Sequence, residues 1–225
     1  MTGPTRNGSP RLLYLLALLI LVFALWPTPF LAPLKTLVVF FHEASHALTA
    51  VATGGVVIEM EINQSQGGHV RAAGDIRFLT LSAGYLGSLL WGASIFLVTV
   101  YTDKDRLISA LLGILILVIA AWFMRNLYGL GFTMATGAGL IALSHWGSEA
   151  VNDFVLRIIG LTSMSYAPLD IWSDTIDRSH LRSDARMLAE EFGGATVMWG
   201  GIWIAISVGM IIWVIKTSLR TRKVE

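Results

Sequence analysis

The sequence predicts an all-α polytopic membrane protein, a bundle of about six to eight transmembrane helices with one small β-hairpin. Hydrophobic residues make up 55% of the chain and charged residues only 14%, with a mean hydropathy of +0.68. A soluble domain carries nearly twice that share of charge. Apolar runs of about 20 residues, the length that crosses a bilayer, recur along the whole chain. Little is left for a soluble domain, so we expect one integral-membrane domain over residues 1–225.

The charge and the cysteine count exclude several classes of function. The formal net charge is +1, and no basic helix or patch of interleaved aromatic and basic residues is present. We therefore expect no nucleic-acid partner. The chain has no cysteine. This excludes disulfide bonds, thiolate zinc ligands and a cysteine nucleophile.

The chain begins with a polar segment and an apolar run. Residues 1–11 carry Arg6 and Arg11 and predict a short disordered tail. Residues 12–26 are apolar, and the prolines that follow break the helix. No small-x-small cleavage site follows the run, so we expect an uncleaved first span rather than a signal peptide. The two arginines favour a cytoplasmic N-terminus.

The second apolar run, residues 34–53, contains His42, Glu43 and His46. Helical positions four apart lie about 40° apart around the axis, so both imidazoles point the same way. Two imidazoles at this spacing can occupy two corners of a tetrahedral zinc site, and Glu43 can act on a water molecule there. This H-E-x-x-H pattern predicts zinc-assisted hydrolysis of a peptide bond. The alternative is a polar cluster that hydrogen-bonds neighbouring helices.

A short hairpin is predicted after this helix. Gly54 and Gly55 end the helix, residues 56–62 alternate between two faces, and residues 63–68 form a polar turn. The hairpin is either a plain connection or an edge strand that pairs with an extended peptide. On the second interpretation, the substrate-binding residues are Val56, Ile58, Met60 and Gly68.

Four more spans follow, at residues 76–100, 107–124, 127–143 and 195–215. The basic tail at residues 216–225 favours a cytoplasmic C-terminus. If both termini are cytoplasmic, the number of crossings is even. The six clear spans then require that residues 145–179 add two crossings, a re-entrant hairpin or none.

The same polar region offers a third metal ligand. A catalytic zinc site uses three protein ligands and leaves one position open. Asp170 lies among apolar residues and is our first candidate, with Asp174, one turn later, in reserve. The alternative is that both carboxylates are solvated at a helix end. The other histidines, His69, His145 and His180, are expected to be ordinary interfacial residues rather than ligands.

These motifs resemble the site-2 proteases, which are intramembrane zinc metallopeptidases. The resemblance rests on His-Glu-Ala-Ser-His at residues 42–46, the Gly-Gly and strand after it, and the later Leu169-Asp170. The run at residues 82–88 and the segment at residues 183–185 look like the compact M50B-like branch of that family. The resemblance implies His42 and His46 as zinc ligands, Glu43 as the base and Asp170 as the third ligand. It also implies one metallopeptidase-like domain.

The expected function is that of a zinc-dependent intramembrane endopeptidase that cleaves transmembrane segments of other membrane proteins. Its partners are then a transmembrane protein substrate and the lipid bilayer, and we expect a bacterial plasma membrane with both termini in the cytoplasm. Two alternatives use the same residues differently. One is a catalytically inactive scaffold that binds membrane helices. The other is a transporter, although we find no internal repeat of the kind transporters show.

Overall fold

The structure is a computed structural model that describes residues 9–220, with side chains described for residues 13 and 17–219. Residues 1–8 and 221–225 lie outside the described part, and with them most of the predicted N-terminal tail and half of the predicted C-terminal tail. The first helix begins at Ser9, within the predicted disordered tail. The last helix runs to Arg220 and includes the first five residues of the predicted basic tail.

Eight helices and one two-stranded antiparallel hairpin make up the described part of the chain, which confirms the predicted fold class. The helices are α1 (Ser9–Leu25), α2 (Ala32–Ala52), α3 (Arg77–Tyr101), α4 (Asp105–Phe123), α5 (Leu127–Trp146), α6 (Glu149–Trp172), α7 (Asp184–Phe192) and α8 (Thr196–Arg220). The strands are β1 (Val56–Ile62) and β2 (Gly68–Ala73). A π-helical turn, Ser173–Asp177, continues α6.

Five of these helices, α3 to α6 and α8, are long and apolar enough to cross a membrane. Helices α1 and α2 meet at an angle of 109° around a short 3-10 turn. If this bent pair together forms one span, the described residues contain six candidate spans. The prediction for residues 145–179 is wrong, because α6 and its π turn form one candidate span. A single helix can hold these acidic residues because they are paired: Asp153 bonds Arg157 at 2.6 Å, and Arg178 bonds Asp174 at 2.8 Å.

Helix α2 lies at the centre of the molecule. Its apolar side chains, among them Phe40 and Phe41, form part of the largest hydrophobic cluster together with residues of the hairpin, α4 and α6. Two glycines of α3 allow the close approach of α2. A methyl group on Gly87 would overlap the side chain of Ser45, for example. This packing holds the polar face of α2 in a fixed orientation.

The crossing of α3 and α6 is equally close. A β-carbon on Gly92 would lie 2.7 Å from the carbonyl oxygen of Gly160, and one on Gly160 would lie 2.9 Å from that of Gly92. Nearby, the hydroxyl of Ser163 donates to the carbonyl oxygen of Ser88 at 2.7 Å. This contact fixes the middle of α6 beside the middle of α3.

The hairpin departs from simple alternation through a β-bulge. The pairing register shifts between Val57 and Glu59. An extra residue in one strand reverses which side chains face the core. Val56 and Ile58 are therefore 68% and 47% exposed, whereas Met60 is fully buried. The predicted face of β1 that included all three residues does not exist in the structure.

One edge of the hairpin is covered by the chain that joins α4 to α5. Met60 and Met124 form a parallel bridge, and the amide of Arg125 donates to the carbonyl oxygen of Met60 at 3.0 Å. The side-chain amide of Asn126 donates to the carbonyl oxygen of Ile62 at 2.7 Å. The second half of β1 therefore has partners on both sides. The outer edge of β2 has no strand partner in the part of the chain that the structure describes.

Helix α7 is short and amphipathic, and it lies against α3, α6 and α8. Ser183 caps its first turn by accepting a hydrogen bond from the amide of Arg186 at 3.3 Å. Ala185 and Leu188 are fully buried in a cluster that includes Tyr85 and Trp203. The first turn of α7 is thereby placed next to the polar face of α2.

Candidate metal centre

The two histidines of α2 direct the same ring atom toward one point. The Nε2 atoms of His42 and His46 lie 3.0 Å apart. A carboxylate oxygen of Asp184, Oδ2, lies 3.0 Å from Nε2 of His42 and 3.1 Å from Nε2 of His46. We call these residues the His–His–Asp cluster. It is the one group of three such side chains within ligand distance in residues 9–220.

The size and chemistry of the cluster fit a zinc ion. Two ligands at about 2.05 Å from a tetrahedral metal lie about 3.3 Å apart. The three donor atoms are separated by 3.0 to 3.1 Å, so an outward shift of about 0.3 Å would bring them to this spacing. Two imidazole nitrogens and one carboxylate oxygen are the donor set of many catalytic zinc sites.

A hydrogen bond from the opposite side of the ring orients His46. Its Nδ1 atom donates to the carbonyl oxygen of Thr80, in the first turn of α3, at 2.6 Å. A neutral imidazole that carries its proton on Nδ1 has its lone pair on Nε2, which is the atom in the cluster. Such outer hydrogen bonds commonly fix the tautomer of a metal-binding histidine.

Gly84 leaves space beside both nitrogens. A β-carbon on this residue would lie 2.5 Å from Nε2 of His46 and closer still to Nε2 of His42. These distances are close to those of a metal–nitrogen bond. The absence of a side chain at residue 84 therefore keeps open the volume that a cation needs.

We expect Gly84→Ala to abolish metal binding, because its methyl group would occupy that volume and displace both imidazoles. Zinc content of the purified protein should fall below about one tenth of the wild-type value, while the helical circular dichroism stays unchanged. Gly139→Ala is the matched control, since nothing lies within 4 Å of its β-carbon position. Normal zinc content in Gly84→Ala would show that the cation does not bind beside this glycine.

The third member of the cluster corrects the sequence-based assignment. Asp184, not Asp170 or Asp174, lies beside the imidazoles. Asp184 is the first residue of α7, a position at which a charged side chain is normally solvated, yet it is only 8% exposed. The signal that was available was the Ser183-Asp184-Ala185 segment. Its burial could not be predicted because it depends on how α7 packs across three distant helices.

The environment of Asp184 favours its charged form. Burial alone would raise the pKa of this carboxyl. When the two imidazoles are protonated and no metal occupies their Nε2 lone pairs, the charge of His46 and the hydrogen bonds from both rings outweigh that effect, so the pKa lies well below its ordinary value. The ionised carboxylate is the form that binds a metal.

Asp170 and Asp174 belong to a neighbouring network instead. Arg178 donates to Asp174 at 2.8 Å and to Asp170 at 3.5 Å. The hydroxyl of Tyr85 donates to the other oxygen of Asp174 at 2.5 Å, and its ring lies edge-on to His42 with centroids 4.9 Å apart. The network therefore supports the ring of His42 from behind, through Tyr85.

Glu43 is buried between the cluster and the hairpin. It is 5% exposed, and its Oε2 atom has no hydrogen-bond partner within the described residues. A β-carbon on Gly68, at the start of β2, would lie 2.7 Å from its Oε1 atom. A buried carboxylate oxygen without a partner is uncommon, and a bound water molecule, an ion or a catalytic role accounts for it. This observation also supports the fit of a hydrated cation beside Glu43.

A cavity of about 570 Å³ opens over the cluster. Its walls come from α2, β2, the first turns of α3, the end of α6 and the start of α7. Residues 68–72 of β2 all contribute to the wall. The volume is sufficient for an extended peptide segment, and the polar lining admits water.

The predicted substrate-binding residues separate into two groups in the structure. Gly68 lines the cavity, whereas Val56, Ile58 and Met60 do not. Met60 is fully buried and its carbonyl group is bonded to Arg125. The strand that lines the cavity is β2, whereas three of the four predicted residues lie on β1; the bulge and the covering segment that cause this difference depend on tertiary contacts.

Comparison with known proteins gives one result. A family model described as Peptidase M50B-like matches residues 15–214, which is most of the chain. No curated protein and no solved structure matches the chain.

Proposed function

The chain belongs to the Peptidase M50B-like family, and from this premise we propose that it is a zinc-dependent intramembrane endopeptidase. The observation that carries the proposal is the His–His–Asp cluster, which adjoins the unpartnered carboxylate of Glu43 in a cavity between membrane-length helices. The proposed substrates are transmembrane segments of other membrane proteins.

His42, His46 and Asp184 would hold the zinc ion. A bound zinc ion supplies Lewis-acid polarisation of a water molecule and of the scissile carbonyl group. The side chains around the cluster keep the donors in place: Thr80 holds His46 through its carbonyl oxygen, and Tyr85 supports His42 through its ring.

Glu43 would act as the general base and then as the general acid. It takes a proton from the water molecule as the water oxygen bonds to the carbonyl carbon. The carbon–nitrogen bond then breaks, and Glu43 delivers the proton to the leaving amine. The products are a new carboxylate terminus and a new amino terminus, and Glu43 ends in its starting state.

Strand β2 would hold the substrate in an extended form. A helical amide is already hydrogen-bonded, so the scissile segment must unwind before attack. Because residues 124–126 cover β1, the available edge is that of β2, which borders the cavity and begins at Gly68 against Glu43. Main-chain pairing along this edge would bring the peptide past the base and the cluster.

The multi-pass membrane location follows from the apolar helices and the family. We place both termini in the cytoplasm of a bacterial plasma membrane. The count of six spans, with the bent α1–α2 pair as one, supports this placement because six is even. The basic residues near both ends support the same orientation.

The proposal is tested by reconstituting the purified protein in lipid vesicles with a fluorescently labelled single-span membrane protein. We expect cleavage within the transmembrane segment, loss of cleavage after chelation of the metal, and recovery on addition of zinc. Cleavage that persists without any metal, or no cleavage of a panel of single-span proteins, would contradict the proposal.

Cross-linking tests the choice of strand, and the chain offers a cysteine-free background. In a Glu43→Gln background, His69→Cys on β2 should form a disulfide with single-cysteine substrates near the scissile bond. Ile58→Cys on β1 is the matched control, since both side chains are about half exposed but only residue 69 lines the cavity. Equal or reversed cross-linking yields would place the substrate on another surface.

A further inference from the structure

Four arginines and His69 line the cavity outside the His–His–Asp cluster, and all but one of these five side chains lie within ion-pair distance of a carboxylate. Arg77 bonds Glu191 at 3.1 Å, and Arg178 bonds Asp174 at 2.8 Å. The other two pairs share one carboxylate on β1: Glu59 lies 3.3 Å from Arg71 and 3.5 Å from His69. The remaining cationic side chain is Arg182, which makes no hydrogen bond or ion pair to the described residues.

Arg182 lies in the cavity wall beside the cluster. It belongs to the segment before α7, two residues ahead of Asp184, and its side chain is exposed. Both residues line the cavity. Ser183 is extended at φ −118° and ψ 166° and caps α7, so the backbone here is held by the helix that follows.

The unpartnered guanidinium faces the volume in which a substrate would lie. β2 and the segment that carries Arg182 both contribute to the cavity wall. A peptide paired with the edge of β2 would therefore lie in the same cavity as the Arg182 side chain. A guanidinium in a partly enclosed site favours a carboxylate, which it can bind through two parallel hydrogen bonds.

We propose that Arg182 is a specificity-determining residue that selects substrates with an acidic side chain close to the scissile bond. This inference rests on the proposed function, since it concerns the same cavity. Because the Arg182 side chain is exposed, an ion pair with it changes affinity by about threefold to fivefold. A substrate with Glu at the matching position should thus be preferred by about threefold to fivefold over one with Gln, and more strongly over one with Lys.

The test uses one host transmembrane substrate in which Glu, Gln or Lys is placed in turn at positions flanking the cleavage site. Cleavage is measured in zwitterionic detergent, and binding of the same substrates is measured with zinc-loaded Glu43→Gln protein. At one of these positions, we expect the wild-type protein to cleave and bind the Glu substrate best, the Gln substrate less well and the Lys substrate least. Arg182→Gln should abolish the preference, Arg182→Lys should keep part of it, and Arg182→Glu should reverse it.

Arg71→Gln is the matched control, because that arginine also lines the cavity but is already paired with Glu59. The overall cleavage rate of Arg71→Gln can change, but its order of preference among the Glu, Gln and Lys substrates should not. If Arg182→Gln lowers cleavage and binding equally for all three substrates, the inference is overturned. Arg182 would then contact a part of the substrate that all three share, such as the peptide backbone. A preference that appears only with added anionic lipid would overturn it as well. The binding measurement remains informative if no substrate is cleaved, so the two proposals can fail separately.

Discussion

Glu43→Gln is expected to eliminate peptide-bond cleavage while leaving the metal in place. The amide cannot take a proton from water, and a positioned general base contributes roughly 10²- to 10⁴-fold to rate. Glu43 is not one of the three donors in the cluster, so zinc should remain. Cleavage is measured in lipid vesicles, and zinc is measured by mass spectrometry of the purified protein.

The control for this variant is Glu61→Gln, which makes the same chemical change on β1, where the side chain does not line the cavity. It should cleave at the wild-type rate. Residual activity within about threefold of wild type in Glu43→Gln would show that another group accepts the proton. Loss of zinc together with activity would show that Glu43 is a ligand.

Asp184→Asn is expected to remove most of the bound zinc. An amide oxygen carries no charge, so the cluster would offer two neutral imidazoles and one weak donor. Changes to outer-sphere partners of a metal site typically lower affinity 10- to 100-fold, and loss of a direct ligand should exceed that. The measurement is a competition titration of the purified protein with a chromophoric zinc chelator.

Asp170→Asn and Asp174→Asn are the matched controls, because both carboxylates line the same cavity but pair with Arg178. Their zinc affinity should stay within about tenfold of wild type, and the decrease should be larger for Asp174→Asn, whose partner Tyr85 contacts His42. If Asp170→Asn loses zinc and Asp184→Asn keeps it, the original sequence-based assignment of the third ligand is the better one.

The parts of the site that share one helix could be predicted from the sequence. His42, Glu43 and His46 have relative directions set by helical geometry alone, and the apolar residues around them indicate burial. The family resemblance was likewise available from these motifs, and the family match bears it out. The fold class followed from composition, because hydrocarbon-length helices leave few other architectures.

The parts that depend on distant contacts could not be predicted. Asp184 enters the site because Ala185 and Leu188 pack against α3 and α8, and no local pattern reports that packing. The bulge in β1 and its cover by residues 124–126 also arise from tertiary contacts. The polar residues at 145–179 and the even number of crossings suggested two crossings, a re-entrant hairpin or none, whereas their pairing with arginines allows one continuous helix.

The central claim is that one zinc ion binds His42, His46 and Asp184 within the helical bundle. X-ray absorption spectroscopy of the purified, metal-loaded protein tests it most directly. We expect about one zinc per chain with two imidazole nitrogens and at least one oxygen at about 2.0 to 2.2 Å, and in His46→Ala either loss of the zinc or a halved imidazole signal. A protein that takes up no zinc, or a zinc spectrum unchanged in His46→Ala, would contradict the account.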